Sequence, residues 1–360
     1  MIAIIIGTKA ELIKTIPLMI ELRKRRMAYK FIHTGQHNIA DLCNEFNIRQ
    51  PDIVLYKPPK KSSRFMTKTH KGFIWALMLT RKIKKILKQL NPDFVLYHGD
   101  TLSTAAAARG SSKNKRWLNG HLEAGLRSGN NKEPFPEEIS RKMADRHSDL
   151  LFAPSKETAK NLKHLKGKVF VTGNTIVDGI DYTLKIAKKK KLKKISGKYV
   201  AVNIHRHENI KSKERLSTII EIIDTVTYPV YWPMHDNTKK QLKKFGLWKK
   251  IQKRNIHITP LIGYVEFLWL LKNCSYIITD GGGIQEESLA LKKPCIIMRK
   301  LTERQEGLKT GINFLIGTNV RKGRMIIKKL ESRNFKILKF KNPYGDGKAA
   351  KRIVDILVKK

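Results

Sequence analysis

Short apolar runs alternate with stretches whose apolar positions recur every three or four residues, and this alternation repeats along the chain. Residues 2–6 are uniformly apolar and almost all β-branched. In 11–25 that follow, Leu12, Ile16, Leu18, Met19 and Leu22 mark one side of a helix. Further strands are expected at 31–33, 94–97, 150–153 and 169–172, with a helix over 75–90 that Asn91-Pro92 stops. The pattern then restarts at 199–204, with strands at 230–232, 256–259, 276–279 and 295–298 and helices at 212–224 and 238–245. Short, fully apolar strands between amphipathic helices describe parallel sheets covered on both faces. The predicted class is α/β: two Rossmann-like doubly wound domains facing a central cleft, spanning 1–172 and 173–342. A C-terminal helix in 343–360 is expected to pack back on the first domain. In open sheets of this kind ligands lie beyond the carboxyl ends of the strands, and Gly7, Asp100, His205 and Gly281 all fall there.

One junction stands out chemically. The strand at 276–279 runs through Asp280 into Gly281, Gly282 and Gly283, and a carboxylate-bearing helix begins at once. Glycines let a backbone approach a ligand closely, and a helix N-terminus offers N–H groups and a positive dipole end to an anion. A phosphate cradle and a ligand-free tight turn both satisfy this stretch taken alone.

At 360 residues, 41% hydrophobic and 29% charged, the chain has material for two cores. No apolar run reaches the roughly 18 residues of a membrane span, and 2–6 is too short for a signal-peptide core. Cys43, Cys274 and Cys295 are scattered, which favours a reducing, cytoplasmic setting over a disulfide or zinc framework. The formal net charge of +44 invites a nucleic-acid reading. The excess is spread along the chain, is mostly lysine, and lacks an interleaved aromatic motif. It reads better as a surface bias that attracts anionic ligands.

An ordered set of motifs completes the picture: 7–14 (Gly-Thr-Lys-Ala-Glu-Leu-Ile-Lys), 33–37 (His-Thr-Gly-Gln-His), 98–101 (His-Gly-Asp-Thr) and 121–127 (His-Leu-Glu-Ala-Gly-Leu-Arg). Pro136-Glu137-Glu138, Gly173-Asn174-Thr175, 205–209 (His-Arg-His-Glu-Asn), the triple glycine, Thr302-Glu303-Arg304 and 342–347 follow in order. Together they resemble the non-hydrolysing UDP-N-acetylglucosamine 2-epimerases over almost the whole chain. The resemblance implies a fold like that of the B-type glycosyltransferases and a homodimer acting on a nucleotide sugar, with no membrane association. It further implies a supply of precursors to polysaccharide biosynthesis. The implied reaction converts UDP-N-acetylglucosamine to UDP-N-acetylmannosamine by eliminating UDP to 2-acetamidoglucal and adding it back after reprotonation of C2 from the opposite face.

The residues suit that scheme. A C2 proton is weakly acidic, so its removal calls for a positioned base and departure of UDP. By resemblance Asp100, Glu123, Glu137 and His205 are catalytic, the three carboxylates as a group and His205 as a donor to the leaving diphosphate. Crowded carboxylates push their pKa values apart, so that one serves as base while another holds a proton. The resemblance places Lys9, Lys14, Arg141, Phe267, Gly281, Gly282, Gly283, Glu287 and Arg304 at the UDP-sugar, with Glu287 on the ribose and Phe267 near the uracil. Gln36 and His37 match a region that contacts a second, activating substrate molecule. No metal or nicotinamide cofactor is implied. The chain departs from the family at Lys9, where arginine is usual and a bidentate fork is lost, at Gly281 for serine, and at Ser140 for asparagine. Two alternatives share the fold: a hydrolysing epimerase that releases UDP and N-acetylmannosamine, and a glycosyltransferase.

Overall fold

The computed structural model describes residues 1–57, 69–114, 116–130 and 135–360. The chain divides into two compact units, Met1–Tyr182 with Tyr344–Lys360, and Thr183–Pro343. Each is a parallel sheet with flanking helices.

The first sheet holds β1 (Ile2–Ile6), β2 (Tyr29–His33), β3 (Ile53–Val54), β4 (Phe94–His98), β5 (Leu118–Leu122), β6 (Leu150–Ala153) and β7 (Lys168–Val171). Their order is β3-β2-β1-β4-β5-β6-β7, all parallel, with Ile4 registered between Phe31 and Leu96. Every residue of β1 is buried, as expected for a central strand covered on both faces. Strand order reverses between β1 and β4, so the crevice of this unit opens beyond their carboxyl ends. β5 is a strand that apolar patterning does not reveal, because Asn119, Gly120 and His121 interrupt it. Its buried polar groups are satisfied internally: Asn119 Nδ2 donates to His147 O at 2.8 Å, and its Oδ1 accepts from Asp149 N–H at 2.7 Å.

The second sheet holds β8 (Val200–Asn203), β9 (Val230–Pro233), β10 (Ile256–Thr259), β11 (Tyr276–Thr279), β12 (Cys295–Ile297) and β13 (Asn313–Leu315). Their order is β10-β9-β8-β11-β12-β13, with the reversal between β8 and β11. The core beneath includes Val200, Val202, Trp232, Ile278, Ile296 and the helix residues Leu216, Ile219 and Ile223.

Helix Thr175–Lys189 straddles the division between the units. Its first turns belong to the first unit, where the Asp178 carboxylate accepts the N–H groups of Ala349 and Ala350 at 3.2 and 2.8 Å. An acid at a helix start is favoured by the unpaired amides there. Helix Ala349–Val358 thereby lies against helix Lys9–Lys24, with Arg25 bonded to Asp355 at 2.6 Å. Among the described residues no helix is long and apolar enough to cross a membrane.

Candidate active site

In the first unit the candidate residues gather beyond β1, β4 and β5. The turn after β1 is occupied by the chain's own carboxylate. Glu11 Oε2 accepts the N–H groups of Gly7 and Thr8 at 2.6 and 2.9 Å, and Oε1 accepts the hydroxyls of Thr101 and Thr104. Thr8 Oγ1 in turn accepts Glu11 N–H, forming a capping box at the start of Lys9–Lys24. Burial pushes the Glu11 carboxyl above its ordinary value, against these hydrogen bonds. A side chain at Gly7 would meet Ser103 Oγ at 2.1 Å. This first turn is therefore closed to a phosphate, unlike that of a dinucleotide-binding fold. Lys9 stands exposed at the start of the helix.

Five residues further along that helix, Lys14 is ion-paired with Glu123 Oε2, which also accepts Asn174 Nδ2 at 2.9 Å. The buried His98 ring lies 3.7 Å from the same oxygen and bonds Thr15 Oγ1 through Nδ1 at 3.0 Å. Burial lowers the His98 pKa, and Glu123 opposes the shift. Glu123 itself sits at φ +70°, a left-handed conformation costly for a residue with a side chain.

Asp100, beyond β4, is paired with Arg141, whose other nitrogen holds Glu138 Oε2 at 2.7 Å. Arg141 and Glu138 are buried whereas Asp100 keeps 28% of its side-chain surface, so one acid of the cluster stays reachable. Glu137 opens helix Glu137–Arg146, one turn before Arg141 on the same side. Ser140 is buried within that helix. Gln36 accepts Ser103 Oγ at 2.7 Å, and His37 N–H donates to Gly7 O at 3.0 Å, which sets both beside the β1 turn. Glu138, Asn174 and Glu11 have site partners that sequence patterning does not single out. The signal available was their place inside the quoted motifs, and for Glu11 its spacing of three from Thr8.

In the second unit the candidates gather beyond β8 and β11. The Asp280 carboxylate is fully buried and accepts His205 N–H, Arg206 N–H and Asn209 Nδ2 at 2.9–3.2 Å, tying the loop after β8 to the end of β11. His205 Nδ1 faces Asn203 Oδ1 at 2.9 Å, and its ring stacks on His235 with centroids 4.5 Å apart. Gly281 N–H already donates to Thr279 Oγ1 at 2.9 Å. Helix Gly283–Ala290 then begins, and the N–H groups of Gly283 and Ile284 fall in its first turn, where no intrahelical acceptor exists.

Arg304 is buried against this turn, paired with Glu303 and 3.3 Å from Glu286 Oε2. A side chain at Gly282 would meet its guanidinium at 2.9 Å, whereas one at Gly283 would meet nothing within 4 Å. Tyr264 donates to Glu287 Oε1 at 2.8 Å and so links helix Tyr264–Asn273 to the glycine helix. Burial, with Glu287 beside it, pushes the Tyr264 hydroxyl well above its ordinary value, which keeps it a donor. Phe267 lies half-buried one turn along.

Open space at Gly283 separates fold from function. Gly283→Ala is expected to leave unfolding unchanged, or to raise stability by up to about 1 kcal/mol through helix propensity, while weakening UDP binding measured by calorimetry. Unchanged affinity would remove Gly283 from the anion site.

The histidine stack has a pH consequence. Burial first, then His205, pushes His235 down to about 4, with Asp280 and Asp236 opposing. A histidine held below its ordinary 6.5 stabilises the fold in its neutral form. That contribution is present above about 6.5 and is lost as pH falls toward 4. His235→Gln is expected to flatten the fall in melting temperature over that window. An equally steep fall would assign the acid sensitivity to other groups.

Residues 20–358 match the family model described as UDP-N-acetylglucosamine 2-epimerase. The chain belongs to the UDP-N-acetylglucosamine 2-epimerase family. It is 38% identical to the enzyme of that name from Methanocaldococcus jannaschii, over 99% of this chain and 98% of the relative. A crystal structure of the M. jannaschii UDP-GlcNAc 2-epimerase in complex with UDP-GlcNAc and UDP superimposes with a TM-score of 0.87 at 36% identity, covering 100% of this chain and 99% of that one. The Neisseria meningitidis UDP-GlcNAc 2-epimerase bound to UDP-GlcNAc gives 0.86 at 29% identity, with 100% of both chains covered. Family and fold agree with the expectation of two Rossmann-like domains built as in the B-type glycosyltransferases.

Proposed function

We propose that this chain is a UDP-N-acetylglucosamine 2-epimerase of the non-hydrolysing kind, interconverting UDP-N-acetylglucosamine and UDP-N-acetylmannosamine. The observation that carries the reading is the pair of carboxylates beyond adjacent strands β4 and β5. Asp100 is partly open and held by Arg141, while Glu123 is buried and held by Lys14 and Asn174. Two acids in such different surroundings are suited to opposite roles, one taking a proton at C2 and the other giving one.

The second unit supports the nucleotide end. As the bond from C1 to the diphosphate oxygen breaks, negative charge collects on UDP. The first turn of helix Gly283–Ala290, His205 and Arg304 are donors suited to receive it without reorganisation. Glu287, fixed by Tyr264, is suited to accept from ribose hydroxyls. The electron pair of the C2–H bond forms the C1–C2 double bond of 2-acetamidoglucal as UDP leaves. Reprotonation from the other face and re-addition of UDP give the epimer.

Product analysis tests the reading. Incubation with UDP-N-acetylglucosamine is expected to yield a mixture of the two UDP-sugars without stoichiometric free UDP. Stoichiometric UDP together with free N-acetylmannosamine would establish the hydrolysing reaction instead. No change in the nucleotide sugar without an added acceptor would point to glycosyl transfer.

A further inference from the structure

Buried side chains outside the proposed catalytic set connect the two backbone segments that carry Asp100 and Glu123. His121, on β5, has Nδ1 2.7 Å from Asp145 Oδ1 and Nε2 2.7 Å from the carbonyl oxygen of Gly99. Asp145 turns its other oxygen to Arg127 at 2.7 Å and to the N–H of Gly125 at 3.3 Å. The His121 and Asp145 side chains have no exposed surface. Gly99 immediately precedes Asp100, and Gly125 lies two residues beyond Glu123. A single carboxylate on helix Glu137–Arg146 thus grips both acid-bearing turns. It reaches the carbonyl before Asp100 through the imidazole and the amide after Glu123 directly.

These turns need such a grip. Gly99 (φ +79°), Glu123 (φ +70°) and Gly125 (φ +85°) all lie in the left-handed region. Glu123 is the one that carries a side chain, and a conformation of that kind persists only where its surroundings impose it. A side chain at Gly125 would meet Thr158 O at 2.2 Å, so this turn is pressed against the next helix as well. Burial alone would raise Asp145; its bonds to His121 and Arg127 outweigh that and hold it below the usual carboxylate range, so it remains a charged acceptor.

We propose that Asp145 is a positioning residue that sets Asp100 and Glu123 relative to one another for proton transfer at C2, acting through His121 on one turn and through Gly125 on the other. The proposal rests on the epimerase reading above. Asp145→Asn keeps the volume and one acceptor oxygen but loses the charge. Its kcat is expected to fall roughly tenfold to a hundredfold, the scale of a misplacement of about 1 Å, with KM for the nucleotide sugar and Kd for UDP held within about threefold. Arg127→Gln leaves the His121–Asp145 contact in place and is expected to lose kcat in the same direction by a smaller factor.

A folded Asp145→Asn protein with unchanged kcat overturns the proposal. So does a parallel loss of kcat, UDP affinity and melting temperature, which marks a purely structural role. Should Asp145→Asn fail to fold, Arg127→Gln decides, and wild-type kcat there overturns the proposal. An unmodified chain that turns over no UDP-N-acetylglucosamine refutes the epimerase reading and the positioning role with it.

Discussion

Glu123→Gln is expected to lower the rate of proton exchange at C2 by at least about two decades, the scale of general acid–base catalysis. Glutamine preserves shape, and its amide oxygen can still accept from Asn174, which Glu123 now does at 2.9 Å. What it loses is the charge that Lys14 pairs with and the capacity to take or give a proton. Removing one member of a buried ion pair is costly, so a melting curve must accompany the kinetics. UDP affinity, which the proposed function assigns to the second unit, is expected to stay close to wild type. Asp100→Asn is expected to show a comparable loss, because Arg141 would then face a neutral amide. Wild-type-like exchange in both proteins would take these carboxylates out of the mechanism.

The largest stability effect is expected at Asp280, which touches no proposed reacting atom. Its carboxylate accepts two backbone N–H groups and the Asn209 amide, all from the segment after β8, and no part of it is exposed. Asp280→Ala strands three donors, the Asn209 amide in a buried bond and the His205 and Arg206 N–H groups in partly buried ones. At roughly 1–3 kcal/mol each, the expected cost is about 3–9 kcal/mol. The loop it releases carries His205, so UDP affinity is expected to fall as well. Urea unfolding followed by the tryptophans of the second unit is the appropriate measurement, since a chain of two units need not unfold in one step. An unchanged midpoint would show that water replaces the carboxylate at little cost.

The two sheets were legible from the chain because their central strands are short, apolar and buried on both faces. β1 and β11 carry no polar residue that would mask the signal until Thr279 at the end of β11. β5 was not legible for the opposite reason: Asn119 and His121 are polar by type, yet the fold buries them with partners that no local pattern reveals. β3 and β13 have two and three residues, too few for alternation to register. The same logic divides the site. Asp100, Glu123, His205 and the glycine turn follow strands or lie within quoted motifs, so their positions could be read. Asp145, Glu138 and Asn174 could not be weighed, because their importance lies in what they touch across 10 to 51 positions of sequence. The turn after β1 illustrates the limit most clearly. Gly7 lies just beyond a strand, where a ligand is expected, but the three-dimensional structure fills its turn with Glu11.

Proton NMR of UDP-N-acetylglucosamine incubated with the protein in deuterium oxide is the most direct measurement of the proposed chemistry. The expected result is loss of the C2 proton signal from intact UDP-sugar, with deuterium incorporated into both epimers as they equilibrate. Epimer formed with the original C2 proton retained, or nucleotide sugar left protiated at C2 under conditions where UDP binds, would contradict removal and return of that proton by acids of this chain.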